Sequence, residues 1–371
     1  MIRLAIDARE LRAGARTGIG RYVREVVRGA IARGWHCTVY GDARTAPADV
    51  PAGATLTRLM ALGTRWWDQV ALPRALARDG AQIFLSPYYK APLVAPCPVV
   101  VTIHDLFFIG YGGRRSLRDP VLTAAARLYA RRARAIVTDS EHSRRAIVDR
   151  LGVEPAKISV IGVAVGPEFV PTRLSDAARA RYGVGASYVL FVGNFMPHKN
   201  VDGLLRAWAA LPAALRGAHR LVLAGTDAAR RPRLERLARA LDVADSVVFA
   251  GRIDDADLPG LYSACAAFVL PSLEEGFGLP AVEAMACGAP VIVSDRGALP
   301  EVAGPGAAVL DAADAGALAA GLARVLREGE YREALRRRGR ARAADFTPAR
   351  TAGGVLDLLE RVVGAALTVA R

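Results

Sequence analysis

The feature that most constrains this chain is an alternation that runs twice along it. Short, wholly apolar runs alternate with longer amphipathic stretches. Arg3–Asp7, Thr38–Tyr40, Ile83–Ser86, Val99–Ile103 and Ala135–Thr138 read as strands. Helical patterns over Arg21–Arg33, Val121–Arg132 and Ser143–Leu151 lie between several of them. A strand without polar alternation is covered on both faces, which means a parallel sheet with helices on each side. The alternation restarts at Tyr188–Val192 and continues through Leu221–Ala224, Val247–Ala250, Ala267–Leu270 and Val291–Ser294. Helical patterns there cover Val201–Ala210, Arg231–Leu241, Leu258–Ser263 and Pro280–Ala286. Pro167 and Pro171, with glycines on either side, interrupt the pattern between the two halves. The expected architecture is therefore α/β with two domains, residues 1–170 and 171–351. The tail opens with Phe346-Thr347-Pro348, a helix start, and residues 352–371 are expected to return to the first domain. Two such domains would face each other across a cleft, with ligands at the strand C-termini.

Composition narrows the partners. Hydrophobic residues make up 52% and charged residues 23%, which excludes wholesale disorder. The net charge is +14, and of 50 basic residues only Lys90, Lys157 and Lys199 are lysines. Arginine is the default base here, so part of the charge is compositional. The rest favours phosphates or acidic headgroups. The arginines do not interleave with aromatics, so no nucleic-acid partner is expected. Cys37, Cys97, Cys265 and Cys287 are scattered, without the spacing of a disulfide framework or a zinc site. The longest apolar stretch, Pro98–Ile109, is broken by His104 and Asp105 and falls short of the ~20 residues that span a bilayer. A cytoplasmic protein is expected, peripheral at the inner face of the membrane. The basic stretches Arg9–Arg16, Arg114, Arg115, Arg118 and Arg127–Arg134 would face the anionic lipid surface.

The densest chemistry lies between Leu270 and Ile292. A strand leads into a loop with Glu274 and Glu275, then Gly276, Phe277, Gly278 and Leu279, and Pro280 opens a helix carrying Glu283. The glycines allow close backbone approach to a ligand, and the free amides of the helix start suit phosphate. Glu275 and Glu283 can address one ligand from two points. The string from Glu275 to Val291 resembles the donor-site signature of retaining GT-B glycosyltransferases of the GT4 family. The resemblance extends over nearly the whole chain, and it implies two Rossmann-like parallel-sheet domains facing a cleft. It also implies that Glu275 contacts the donor sugar and Glu283 the nucleotide ribose.

Three further segments join this reading. In Gly193-Asn194-Phe195-Met196-Pro197-His198-Lys199, Lys199 matches the family's lysine on the donor diphosphate, while Asn194 stands where the family has an arginine. A neutral amide cannot neutralise charge, so either another arginine, with Arg252 the candidate, replaces it or the site works with less. His198 is expected to face solvent. His104 closes a buried strand and, by the resemblance, contacts the donor sugar or backs the reaction centre, with Asp105 placed to orient its ring. Gly18 and Gly20 form a tight turn that in the family borders the donor phosphate and acceptor. Arg9, Arg12 and Arg16 stand before it, either facing an anionic acceptor or solvated. In Thr138-Asp139-Ser140-Glu141-His142-Ser143, helix capping by Ser140 or Ser143 is expected.

Together these imply a retaining transfer of a hexose from a nucleotide sugar to a glycan or lipid-linked acceptor in surface polysaccharide synthesis. Likeness to bacterial polysaccharide mannosyltransferases points to GDP-mannose as donor. No paired-carboxylate metal motif stands at a suitable strand end, so neither a cofactor nor an obligatory metal is expected. The alternatives are a sugar-nucleotide epimerase of the same fold and a non-catalytic anion- or nucleic-acid-binding protein.

Overall fold

The computed structural model describes residues 1–12, 17–60, 63–109 and 119–369. The chain divides into two compact units, 1–164 with 348–371, and 165–347. The sequence reading drew these boundaries at 170/171 and 351/352. The structure sets both earlier because the Val165 amide donates to the Phe346 carbonyl at 2.9 Å, tying the entry and exit of the second unit together.

The first unit holds strands β1 (Arg3–Asp7), β2 (His36–Gly41), β3 (Thr55–Arg58), β4 (Ile83–Ser86), β5 (Val99–Thr102), β6 (Ala135–Thr138) and β7 (Ile158–Val160). They form one parallel sheet in the order β3-β2-β1-β4-β5-β6-β7. Helices α1 (Gly18–Ala32), α2 (Thr64–Trp66), α3 (Leu72–Arg78), α4 (Asp119–Arg132) and α5 (Glu141–Leu151) connect them. Successive strand side chains point to opposite faces. Leu4, Ile6, Ile83, Leu85, Val100 and Val137 enter one core, and Ala5, Phe84, Val101 and Ile136 the other. Both faces are apolar because both are covered, as the uninterrupted apolar runs require.

The second unit carries β8 (Tyr188–Val192), β9 (Arg220–Ala224), β10 (Val247–Gly251), β11 (Ala267–Leu270), β12 (Val291–Ser294) and β13 (Ala307–Leu310). Its parallel order is β10-β9-β8-β11-β12-β13. The helices are α6 (Asp176–Tyr182), α7 (Val201–Ala209), α8 (Ala213–Ala218), α9 (Arg231–Ala240), α10 (Leu258–Ala264), α11 (Leu279–Ala286), α12 (Leu299–Ala303), α13 (Ala315–Arg327) and α14 (Gly329–Ala343). The last helix, α15 (Pro348–Val369), rejoins the first unit. Its Val355, Leu356, Leu359 and Val362 enter the core beneath α1. Gly29 on α1 makes the approach possible: a Cβ there would lie 2.9 Å from that of Ala352.

In both sheets the chain reverses its order beside the first strand of the unit. β1 lies between β2 and β4, and β8 between β9 and β11. The C-terminal tips next to such a reversal are where open α/β sheets bind ligands.

Candidate active site

In the second unit, two neighbouring strand tips meet. β8 runs into the short 3-10 turn Pro197–Lys199, and β11 runs into the loop before α11. Lys199 Nζ donates to Glu275 Oε1 at 2.5 Å, and Ser272 Oγ donates to the same oxygen at 2.8 Å. The two loops are also tied by the Leu273 amide, which donates to the His198 carbonyl at 2.7 Å. The pair is largely dehydrated, with 12% of the Lys199 side chain and 8% of the Glu275 side chain exposed. A charge pair in such surroundings acts strongly on whatever enters beside it. The ammonium suits a departing diphosphate and the carboxylate suits sugar hydroxyls.

Gly278 turns the loop into α11. Its φ of +90° lies in the left-handed region, and a Cβ there would fall 2.3 Å from Leu299 Cδ2. Gly276 and Phe277 are buried, the latter edge-on to Phe346 with ring centroids 5.4 Å apart. Leu279 begins α11, half-buried. Glu283 is buried about one turn into α11, and the Tyr262 hydroxyl on α10 donates to its Oε2 at 3.1 Å. Burial first, then the Glu283 charge, pushes the Tyr262 hydroxyl far above its ordinary pKa, so it remains a donor.

Two expectations about the diphosphate side meet a different geometry. Asn194 is exposed and its Oδ1 accepts from the Met196 amide at 3.1 Å, so its oxygen closes the turn out of β8. Arg252 is exposed just past β10, at the sheet edge and two strands from β8. Among the described residues it makes no hydrogen bond or ion pair, and nothing brings it to Lys199. His198, expected to face solvent, does not. It is buried at 8% exposure, because the glutamate loop closes over it, and burial followed by the Lys199 charge lowers its pKa.

In the first unit, His104 follows β5. Its Nδ1 donates to Asp139 Oδ2 at 2.7 Å, and the edge of Tyr22 meets its ring at 5.6 Å between centroids. Orientation of the ring was expected from Asp105. The structure assigns it to Asp139, because β5 and β6 are adjacent and Asp139 directly follows β6. Asp105 instead accepts from the Phe107 amide at 3.0 Å. Burial opposes charge on His104, but the Asp139 charge and hydrogen bond, with Asp105, outweigh it and raise the pKa. His104 Nε2 is buried with no hydrogen-bond partner among the described residues.

Ser140 caps α5 as expected, accepting from the Ser143 amide at 3.0 Å, and Ser143 Oγ donates to the His104 carbonyl at 3.1 Å. Gly18 and Gly20 lie inside the first turn of α1 rather than in a turn before it. The reason is Thr17, whose Oγ1 accepts from the Gly20 amide at 3.0 Å and caps the helix at that point. Tyr22 on the next turn places this helix start beside His104. Arg9 is not presented to an anionic acceptor: it is spent on Asp7 at 2.6 Å and Asp68 at 2.8 Å. Arg16, Arg114, Arg115 and Arg118 lie outside the described residues. Asp139, Tyr22, Ser272 and Tyr262 are site residues that sequence reasoning missed; the first three lay in segments it had singled out, and Tyr262 did not.

Two parallel α/β sheets with this loop at a strand tip define the GT-B fold. The family model described as Glycosyltransferase Family 4 matches residues 16–169, and the one described as Glycosyl transferases group 1 matches residues 177–342. The O-antigen chain mannosyltransferase B of Escherichia coli is 34% identical over 218 residues, 58% of this chain and 57% of that protein. The chain thus spans little more than half the length of this relative. Sucrose-phosphate synthase from Thermosynechococcus elongatus superimposes with a TM-score of 0.78 at 24% identity, covering 99% of this chain and 100% of the other. HepE of Anabaena, in complex with UDP and glucose, gives 0.77 at 19% identity, covering 97% and 100%. The chain belongs to the GT4 family of GT-B glycosyltransferases.

Proposed function

We propose that this protein is a retaining hexosyltransferase. It moves mannose from GDP-mannose to a glycan or lipid-linked acceptor in surface polysaccharide biosynthesis, without cofactor or obligatory metal. The observation that carries the reading is the buried Lys199–Glu275 pair at the mouth of the loop that leads to Glu283. The O-antigen mannosyltransferase relative supports the sugar and the pathway. A nucleoside diphosphate with glucose on a structure of this fold supports the donor class.

In this reading Glu283 holds the ribose, Lys199 meets the diphosphate and Glu275 meets the sugar. The bond from the anomeric carbon to the diphosphate oxygen breaks as the bond to the acceptor oxygen forms on the same face. The acceptor proton passes to the departing phosphate oxygen, and configuration is kept. Glu275 is held on Lys199 and Ser272 and serves as a fixed charge rather than a nucleophile. His104 Nε2 supplies a further polar contact. Positive charge beside the leaving group and prior orientation then carry the rate.

The test incubates the protein with GDP-mannose and acceptor oligosaccharides, with and without EDTA, and follows the product anomer by NMR. The expected result is an α-linked product that survives the chelator. Lys199→Ala should cost roughly 2–4 kcal/mol in the transition state. Mannose donor consumed without an acceptor requirement would favour the epimerase. An unchanged rate in Lys199→Ala, or full dependence on a divalent ion, would overturn the scheme.

A further inference from the structure

The two glutamates of the site are held in different ways. Glu275 is fixed from the adjoining loops by Lys199 and Ser272. Glu283 stands farther on, within α11, and a phenol reaches it from α10: the Tyr262 hydroxyl donates to its Oε2 at 3.1 Å. Tyr262 is fully buried and Glu283 nearly so. Packing alone does not call for that hydroxyl, since phenylalanine gives the same ring and stands at the neighbouring buried position Phe268. A buried hydroxyl costs free energy unless it is hydrogen-bonded. Among the described residues the only hydrogen bond of this one goes to Glu283. Because burial and the Glu283 charge keep the phenol protonated, it faces the carboxylate as a permanent donor.

Tyr262 is itself held from several sides. Its ring stands edge-on to Phe268 of β11, with centroids 5.4 Å apart and planes at 76°, and tilts against Phe169 at 6.1 Å. The Cys265 thiol donates to the Tyr262 carbonyl at 3.1 Å. The Tyr188 hydroxyl, on β8, donates to the Leu261 carbonyl next to it at 2.8 Å. These contacts tie α10 to β8 and β11, the two strands whose tips carry Lys199 and Glu275. A glutamate side chain turns about several bonds, and ordering it costs entropy when a ligand must do the ordering. A donor fixed to the sheet does it before the ligand arrives.

We propose that Tyr262 is a positioning residue: it aims the Glu283 carboxylate at the ribose hydroxyls of the donor nucleotide. The preference of the site for a ribose then depends on a side chain buried beneath it. This rests on the reading of Glu283 as the ribose contact.

Calorimetric titration of the full chain with GDP, UDP and ADP, and with their 2′,3′-dideoxy counterparts, tests this. The parent should bind at least one ribose form about tenfold or more tighter than its dideoxy form, and Glu283→Ala should abolish that preference. Tyr262→Phe should lower the preference by about threefold to tenfold through the ribose form, leaving the dideoxy form within about twofold. Phe169→Leu frees the Tyr262 ring and keeps both polar groups. It should lower the preference in the same direction by about twofold, and it decides the question if Tyr262→Phe does not fold. Equal weakening of ribose and dideoxy forms in Tyr262→Phe would make the tyrosine a packing residue and overturn the proposal, with the ribose reading intact. So would an unchanged preference in Tyr262→Phe, or in Phe169→Leu where that variant decides. A parent without any preference, a preference that Glu283→Ala leaves unchanged, or no binding of any nucleotide would remove the ribose reading and the proposal together.

Discussion

At the scale of single residues, the site depends on groups that hold other groups. Burial favours the neutral His104 ring, and Asp139 at its Nδ1 favours the charged one and raises its pKa. A histidine whose pKa is raised on folding stabilises the protein fully below its ordinary value of about 6.5, and that stability is lost as pH rises through the raised value. Asp139→Asn should weaken this. With the largest group opposing burial removed and Asp105 left, the His104 pKa should fall, and the stability lost above about 6.5 in the parent should vary less there. Imidazole titration by NMR and denaturant midpoints across this window provide the measurement. An unmoved His104 titration in Asp139→Asn would show that the hydrogen bond carries no electrostatic weight. Asp139 is a positioning residue on this account. His104 was legible in the sequence as a strand-end histidine. Its partner was not, because adjacency of β5 and β6 is a property of the sheet and Asp105 is nearer along the chain.

At the scale of elements, strand-to-helix loops do the positioning, and their shape is set by few residues. The loop from β11 to α11 turns at Gly278, where both φ and packing against Leu299 exclude a side chain. Gly278→Ala should therefore cost about 1–3 kcal/mol in stability from backbone strain, with the clash added. It should also displace Glu275 and Glu283, which stand on either side of the turn. Adding Leu299→Ala should recover the part due to the clash and leave the part due to φ. Urea midpoints of the single and double variants separate the two, and a neutral Gly278→Ala would mean that the loop adapts freely. Which elements were visible beforehand follows from burial. Strands covered on both faces wrote continuous apolar runs. The strands not foreseen, β3, β7 and β13, all lie at sheet edges. There Thr55-Leu56-Thr57-Arg58 is half-exposed and need not be apolar.

At the scale of the whole molecule, the +14 charge calls for a counterpart. Among the described residues no helix is long and apolar enough to cross a membrane. On the first unit, α4 exposes Val121 and Leu128 together with Arg131 and Arg132, and Arg134 follows, also exposed. Arg127 is spent on the Arg150 carbonyl at 3.0 Å. A basic residue close to an anionic membrane contributes ~1 kcal/mol, so three arginines suffice for reversible attachment. The protein should float with anionic vesicles at low salt, and not with neutral ones. High salt should release it, and reversing Arg131, Arg132 and Arg134 to glutamate should weaken it. Absence of flotation at low salt would assign the charge to arginine usage alone.

The sequence by itself determined the parallel sheets, the near-position of both domain boundaries, the return of the last helix and the Glu275–Glu283 loop. Each is written locally, in apolar runs, prolines and glycines whose meaning does not depend on distant residues. Only the tertiary structure decided which tips meet. β8 lies against β11 and β1 against β4, so strands far apart along the chain become neighbours less than 5 Å apart. The β8–β11 pairing joins Lys199 to Glu275 across 76 positions, the β5–β6 pairing gives His104 its Asp139, and the fold of the first unit turns Arg9 onto Asp7 and Asp68.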